Sequence, residues 1–243
     1  NQIKLATGVT SPYLRHPALL ASATATLDEI SDGRAVLGIG AGGFEFATQL
    51  GIHWKRPLTG VRESAEIIRS LLRDEKVTLN GKEFSVQGAK LPFGKSFDIP
   101  VYYAARGTKM LELSGESGDG VITHGVHSSF ATYASKILTQ SAQKVGRDPK
   151  EIDLAIQCHI LPTNNTEYAI EKLKPSNLMM AGGEYSLDLV PYYGLTLEDV
   201  KPLREAVRSG DQNRAVKIMT KEHVRAFAIV GHPEECIEQI RSM

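Results

Sequence analysis

The sequence predicts an α/β fold in which parallel strands alternate with helices. Two observations carry this. Short apolar runs alternate along the chain with longer stretches in which apolar residues recur at helical spacing. The run at 35–40, Ala-Val-Leu-Gly-Ile-Gly, is apolar throughout and short, as a parallel strand buried on both faces is.

The elements follow in order. Ile3, Leu5, Ala6, Val9 and Thr10 predict a strand over 3–9. Gly8 interrupts it, and a glycine inside a strand marks a bulge or a close approach. Ser11-Pro12 and His16-Pro17 then bracket a polar loop, since each proline turns the residue before it away from helix. Leu19, Leu20, Ala23, Leu27 and Ile30 predict a helix over 18–30. The strand at 35–40 runs into Ala41-Gly42-Gly43-Phe44-Glu45, and a helix is expected over 63–72. Alternation around Asn80-Gly81 predicts a surface hairpin near 77–86. The strand at 99–104 feeds Arg106-Gly107-Thr108-Lys109 and a helix over 110–117. A strand at 121–124 precedes a helix over 130–145, and 152–161 reads as one strand. Asn164 or Asn165 caps a helix expected to run to about residue 173. Residues 175–225 read as a helical insertion, with helices at 177–181, 197–207 and 211–220. A last strand, 226–230, leads to a helix opened by Pro233.

These are six parallel-type strands with right-handed crossovers. Their alternation fits a barrel or an open doubly wound sheet. The dinucleotide fingerprint Gly-x-Gly-x-x-Gly, with an acid about 20 positions later, is missing, because the spacing at Gly38, Gly40, Gly42 and Gly43 is wrong for it.

Bulk properties exclude some functions. The 243 residues carry 28 Lys+Arg and 28 Asp+Glu, and this balance argues against nucleic-acid or membrane-surface partners. No run reaches the roughly 18 consecutive apolar residues of a spanning helix. The two cysteines, Cys158 and Cys236, are far apart and read as free thiols in a reducing cytoplasm. His16, His124 and His127 fall in loops at strand ends, but no further ligand completes a set, so no metal site is expected.

Two segments invite chemistry. Strand ends carry the chemistry in parallel barrels, which points to Gly8, Val9 and Thr10. In Ala104-Ala105-Arg106-Gly107-Thr108-Lys109-Met110 a strand ends and a helix begins. Free N–H groups and the helix dipole favour an anion there. Arg106 and Lys109 add charge, and Gly107 lets a phosphate approach the backbone.

The run Gly8-Val9-Thr10-Ser11-Pro12-Tyr13-Leu14-Arg15-His16-Pro17 resembles the matching segment of the luciferase-like monooxygenase superfamily, in its branch of coenzyme F420 (deazaflavin)-dependent reductases acting on methylenetetrahydromethanopterin. The resemblance runs along most of the chain. It implies a TIM (β/α)8 barrel whose strands three to eight are present, roughly the first two βα units lying outside this chain. The chain's opening within two residues of a strand and its close partway through a helical pattern agree with a fragment, a single partial barrel domain over 1–243.

The resemblance also implies roles. Gly8, Val9 and Thr10 form a bulge with a non-prolyl cis peptide near Gly8-Val9, behind the deazaflavin ring. The loop Ala105, Arg106, Gly107, Thr108, Lys109 and Met110 binds the cofactor phosphate, with Thr108 where proline is common. Glu45 loosely matches an acidic residue of a loop facing cofactor and substrate, and is the candidate acid/base. The implied enzyme is a cytoplasmic, homo-oligomeric oxidoreductase moving a hydride between reduced F420 and a small electrophilic substrate, methylenetetrahydromethanopterin first. Two alternatives stand beside it: an FMN-dependent monooxygenase, since FMN shares the phosphate end, and a non-catalytic barrel subunit partnering a catalytic paralogue.

Overall fold

The computed structural model describes residues 3–43, 47, 49–183, 185 and 187–243. Contacts gather the chain into two compact units. The first comprises Asn1–Ala105, Lys109–Ile122 and Leu138–Leu154; the second comprises Arg106–Thr108, Thr123–Ile137 and Ala155–Met243.

In chain order the elements begin with β1 (Leu5–Ala6), α1 (Pro17–Ser31), β2 (Ala35–Ile39) and α2 (Pro57–Leu72). The hairpin strands β3 (Val77–Asn80) and β4 (Ser85–Ala89) come next, then β5 (Val101–Ala104), α3 (Thr108–Ser117) and β6 (Gly120–Thr123). These are followed by α4 (Ser128–Lys144) and β7 (Asp153–Ile156). The sheet order is β1-β2-β5-β6-β7, and β1, β2, β5 and β6 pair in parallel, with Leu5 opposite Ala35, Leu37 opposite Val101 and Tyr103 opposite Val121.

All five residues of β2 are buried, as its unbroken apolar run requires. Leu37 and Ile39 of β2 and Tyr103 of β5 pack with Leu20 of α1 and Ile67, Ile68 and Leu71 of α2 in one core cluster. Helix α2 starts six residues before the expected 63, because Pro57 supplies a first-turn residue with φ already set. Its Glu63 accepts the amides of Lys82 (2.7 Å), Glu83 (2.9 Å) and Phe84 (3.0 Å) in the β3–β4 turn. Burial alone would raise the Glu63 pKa, but these three donors hold it below the usual carboxylate range.

The second unit continues through β8 (His159–Pro162), α5 (Thr166–Gly182), α6 (Leu197–Arg208), α7 (Gln212–Ile218), α8 (Lys221–Arg225), β9 (Ala228–Gly231) and α9 (Pro233–Ser242). β8 and β9 pair in parallel, with Ile160 opposite Ile229. Among the described residues no helix is long and apolar enough to cross a membrane. Cys158 and Cys236 are free, Cys236 buried and Cys158 half-buried.

Three expectations need correction. The strand expected over 3–9 ladders regularly only at Leu5–Ala6, and Thr10 returns as a single bridge to Ile39. The strand expected over 152–161 is two, β7 and β8, in different sheets. At the break the Gln157 N–H donates to Thr123 O (2.8 Å), while its carbonyl faces His124 Nδ1 at 3.2 Å. Helix α5 does not stop near residue 173 but continues through Pro175 to Gly182. Ile170, Leu173, Asn177, Leu178 and Ala181 form one buried stripe across the proline, so packing outweighs the roughly 3 kcal/mol that an interior proline costs.

Candidate functional site

The bulge after β1 is built by a side chain. Thr7 N–H donates to Val36 O (3.3 Å), the last regular rung. The next rung is made by the Thr7 hydroxyl, which accepts from Gly38 N–H (2.9 Å) and donates to Gly38 O (2.8 Å). Gly8 and Val9 loop out, and the peptide between them is cis. Thr10 then rejoins β2: its N–H donates to Gly38 O (2.9 Å) and its carbonyl accepts from Gly40 N–H (3.0 Å).

Val9 sits against β2 where two glycines leave room. A Cβ at Gly38 would press on Thr7 O, lie 2.9 Å from Ile122 Cδ1 and lie 3.0 Å from Val9 Cγ1. One at Gly40 would lie 2.8 Å from Ala104 Cβ and 3.3 Å from Val9 Cγ2. So the bulge, the glycines of β2 and the end of β5 meet at one place in the first unit. A Cβ at Gly8 itself would meet no atom within 4 Å, so Gly8 faces open space.

The loop after the bulge is pinned. Ser11 Oγ donates to Ala41 O (2.9 Å) and accepts from Tyr13 N–H (3.3 Å). The Tyr13 phenol donates to Glu83 (3.2 Å), and its ring stacks on Trp54 with centroids 5.6 Å apart. Burial, and after it the Glu83 carboxylate, push the Tyr13 pKa well up, so this phenol keeps its proton. His16 caps α1, its Nδ1 accepting from Ala18 N–H at 3.2 Å, which assigns it a structural role. The Gly40–Gly43 turn follows β2; Glu45 lies outside the described residues.

The second candidate segment begins at Ala105, buried at the end of β5, its N–H donating to Ile122 O (3.0 Å). A Cβ at Gly107 would meet nothing within 4 Å. This open space adjoins the first turn of α3, whose leading N–H groups have no partner inside the helix. Lys109 is exposed. Met110 packs against the core cluster of the first unit. The Thr108 hydroxyl is bonded to the Tyr133 hydroxyl at 2.6 Å. Arg106 turns toward the second unit's helices: Nη1 donates to Met180 O (3.1 Å), and its guanidinium lies 4.8 Å from the Tyr185 ring centre.

His124 follows β6 with Nδ1 at the Gln157 carbonyl, which makes Nδ1 the protonated nitrogen. Burial, and then the Arg106 charge, lower its pKa, so it is neutral near pH 7. His127 Nδ1 pairs with Ser129 Oγ at 2.7 Å. Among the described residues no group of three His, Cys, Asp or Glu could hold a metal ion.

Thr7, Gly38 and Gly40 escape a motif search, although two glycines spaced by two along a buried strand do signal close approach on one face. Nothing local in the sequence marks Tyr185 or Met180 as partners of Arg106.

The chain is 36% identical over 244 residues to a 5,10-methylenetetrahydromethanopterin reductase of Methanolobus tindarius, covering 100% of this chain and 74% of that protein. It is 36% identical over 245 residues to the Archaeoglobus fulgidus protein of the same name, covering 99% of this chain and 73% of that one. The solved coenzyme F420-dependent tetrahydromethanopterin reductase of Methanopyrus kandleri superposes with a TM-score of 0.85 at 30% identity, covering 99% of this chain and 74% of that one. The fold class is accordingly α/β, of the luciferase-like TIM-barrel type. The family model described as luciferase-like monooxygenase matches residues 1–243, and the chain belongs to that family.

Proposed function

We propose that this chain is a coenzyme F420-dependent oxidoreductase that transfers a hydride between reduced deazaflavin and methylenetetrahydromethanopterin. The observation that carries the reading is the likeness, along the whole chain, to reductases named for that substrate. The residues present fit the cofactor. Gly107 fronts open space, and a glycine at the start of a helix followed by a lysine is a donor set suited to phosphate. The amides of Gly107, Thr108, Lys109 and Met110 would hold the phosphate, with Lys109 as its counter-charge. Gly8, Val9 and Thr10 would back the ring.

When bound, the reduced deazaflavin supplies the hydride; the protein orients it and keeps water out. Val9, held against Gly38 and Gly40, would give the ring a fixed apolar backing. Glu45 is the proposed acid/base. The reading includes a single barrel domain over 1–243, with 77–86 and 175–225 as excursions, and a cytoplasmic homo-oligomer. The family match over the full 1–243 supports the single domain.

Titration with F420 and with FMN, read by quenching of cofactor fluorescence, tests the reading. Saturable F420 binding with little FMN binding is expected. Tighter FMN binding refutes it in favour of a flavin monooxygenase. F420 binding without turnover by the homo-oligomer points to the non-catalytic subunit.

A further inference from the structure

Arg106 lies where a phosphate's counter-charge would be sought, yet its guanidinium is committed elsewhere. Its acceptor, Met180 O, belongs to the last turn of α5, where carbonyls have no partner inside the helix. Arg106 therefore caps α5 from a distant part of the chain, and a cation at a helix C-terminus also suits the dipole.

Its second partner, Tyr185, is held from several sides. The Tyr185 phenol donates to Ala181 O (3.1 Å), and its carbonyl accepts from Arg204 Nη2 (2.7 Å). The Arg204 guanidinium lies 4.2 Å from the ring centre. Tyr193, 1% exposed, meets Tyr185 edge-on, with centroids 5.5 Å apart and planes at 89°. Tyr193 in turn stacks on Phe130 at 4.8 Å. Desolvation lowers the Arg106 pKa, which agrees with a guanidinium withdrawn from water. To reach a phosphate beside Gly107, this side chain would have to leave both a hydrogen bond and a π-face.

Within the reading that this loop receives the cofactor phosphate, we infer that Arg106 is a positioning residue: it locks the 106–108 turn onto Met180 and Tyr185, and leaves the phosphate's charge to Lys109. Arg106 acts through where it puts Gly107 and Thr108. Tyr185, the ring face on which the Arg106 guanidinium rests, belongs to the same device.

The test uses the full chain with Arg106→Gln, Arg106→Lys, Tyr185→Leu, Lys109→Gln and the Arg106→Gln/Tyr185→Leu double variant. Two measurements are made: F420 affinity at several salt concentrations, and hydrogen exchange of the 104–110 amides without ligand. Arg106→Gln and Tyr185→Leu should each weaken F420 binding about tenfold, and the double variant no more than either, as residues of one unit do. Arg106→Lys should lose affinity too, because an ammonium keeps the charge but neither the fork nor the stack. The salt dependence should persist in these variants and flatten in Lys109→Gln. Exchange at Ala105, the amide before the turn whose N–H is bonded to Ile122 O, should quicken in Arg106→Gln and Tyr185→Leu, and stay unchanged in Lys109→Gln.

Affinity kept in Arg106→Lys and Tyr185→Leu, with a flattened salt dependence in Arg106→Gln, would overturn the inference and make Arg106 a direct phosphate ligand. Unchanged exchange in both Arg106→Gln and Tyr185→Leu would overturn it as well. Absence of F420 binding by the unaltered chain would refute the cofactor reading alone, while the exchange result still decides what Arg106 does. If Arg106→Gln fails to fold, Arg106→Lys and Tyr185→Leu decide by the same criteria.

Discussion

Gly38→Ala is the sharpest perturbation of the bulge. Two effects oppose each other. Alanine is intrinsically favoured over glycine inside a strand by about 0.5–1 kcal/mol. Against that, the new methyl would press on Thr7 O and lie 2.9 Å from Ile122 Cδ1 and 3.0 Å from Val9 Cγ1. Thr7 O is backbone and cannot swing aside, so the bulge must shift as a whole. Overpacking of this kind costs about 1–3 kcal/mol. The shift also endangers the two bonds between the Thr7 hydroxyl and Gly38, at about 0.5–1.5 kcal/mol each. The clash wins, with a net loss of about 2–4 kcal/mol. For a chain of this size each kcal/mol moves Tm by about 2–4 °C, so a fall of about 5–15 °C is expected by calorimetry. Gly43→Ala, whose methyl would meet nothing within 4 Å, is the control. A Gly38→Ala protein melting within a degree of the parent, or above it, would refute the argument that Thr7 and Val9 are clamped against β2.

Three further outcomes are expected. Gly107→Ala adds a methyl in open space, so Tm should hold within the small range of neutral surface changes, while F420 affinity, read by fluorescence titration, falls about tenfold or more because the methyl occupies the phosphate's approach. Glu63→Gln replaces an ionised acceptor of three turn amides and should cost about 1–2 kcal/mol at pH 7 in urea unfolding, with faster amide exchange at 82–84. His223 is buried, and burial lowers its pKa although the Asp199 carbonyl and the Asp199 and Glu222 charges pull it up. The unfolded chain therefore takes up the proton first, near pH 6.5, and stability should fall on acidification from pH 7 to 5.5 at up to about 1.4 kcal/mol per pH unit. Urea midpoints across that range measure it, the slope should be shallower in His223→Gln, and a flat profile would contradict the buried neutral assignment.

What the sequence made legible was whatever had a local physical signature. Gly8 inside an apolar run announced the break in β1, and Arg106-Gly107 after an apolar run announced the turn that opens α3. Pro233 opened a helix for a local reason too, a preset φ. What stayed hidden depended on distant partners. Nothing around Gln157 and Cys158 marks the split between β7 and β8, because it rests on bonds from the Gln157 backbone to the Thr123 carbonyl and the His124 ring. Pro175 argued for a helix end, and only the buried stripe from Ile170 to Ala181 overrules it. The rung made by the Thr7 hydroxyl is invisible for a similar reason: a threonine in a strand looks like any β-branched residue until the facing glycine is known.

The stack of Tyr13 on Trp54 has an optical consequence. Trp54 is the only tryptophan in the chain, and its neighbour is in the loop that follows the bulge. Excitation at the red edge of protein absorbance therefore interrogates this one place. Emission wavelength and anisotropy report how firmly the loop is seated, with no background from the second unit and no label to attach. A stopped-flow trace of that emission would time the loop's response to an added ligand directly, in the unmodified protein.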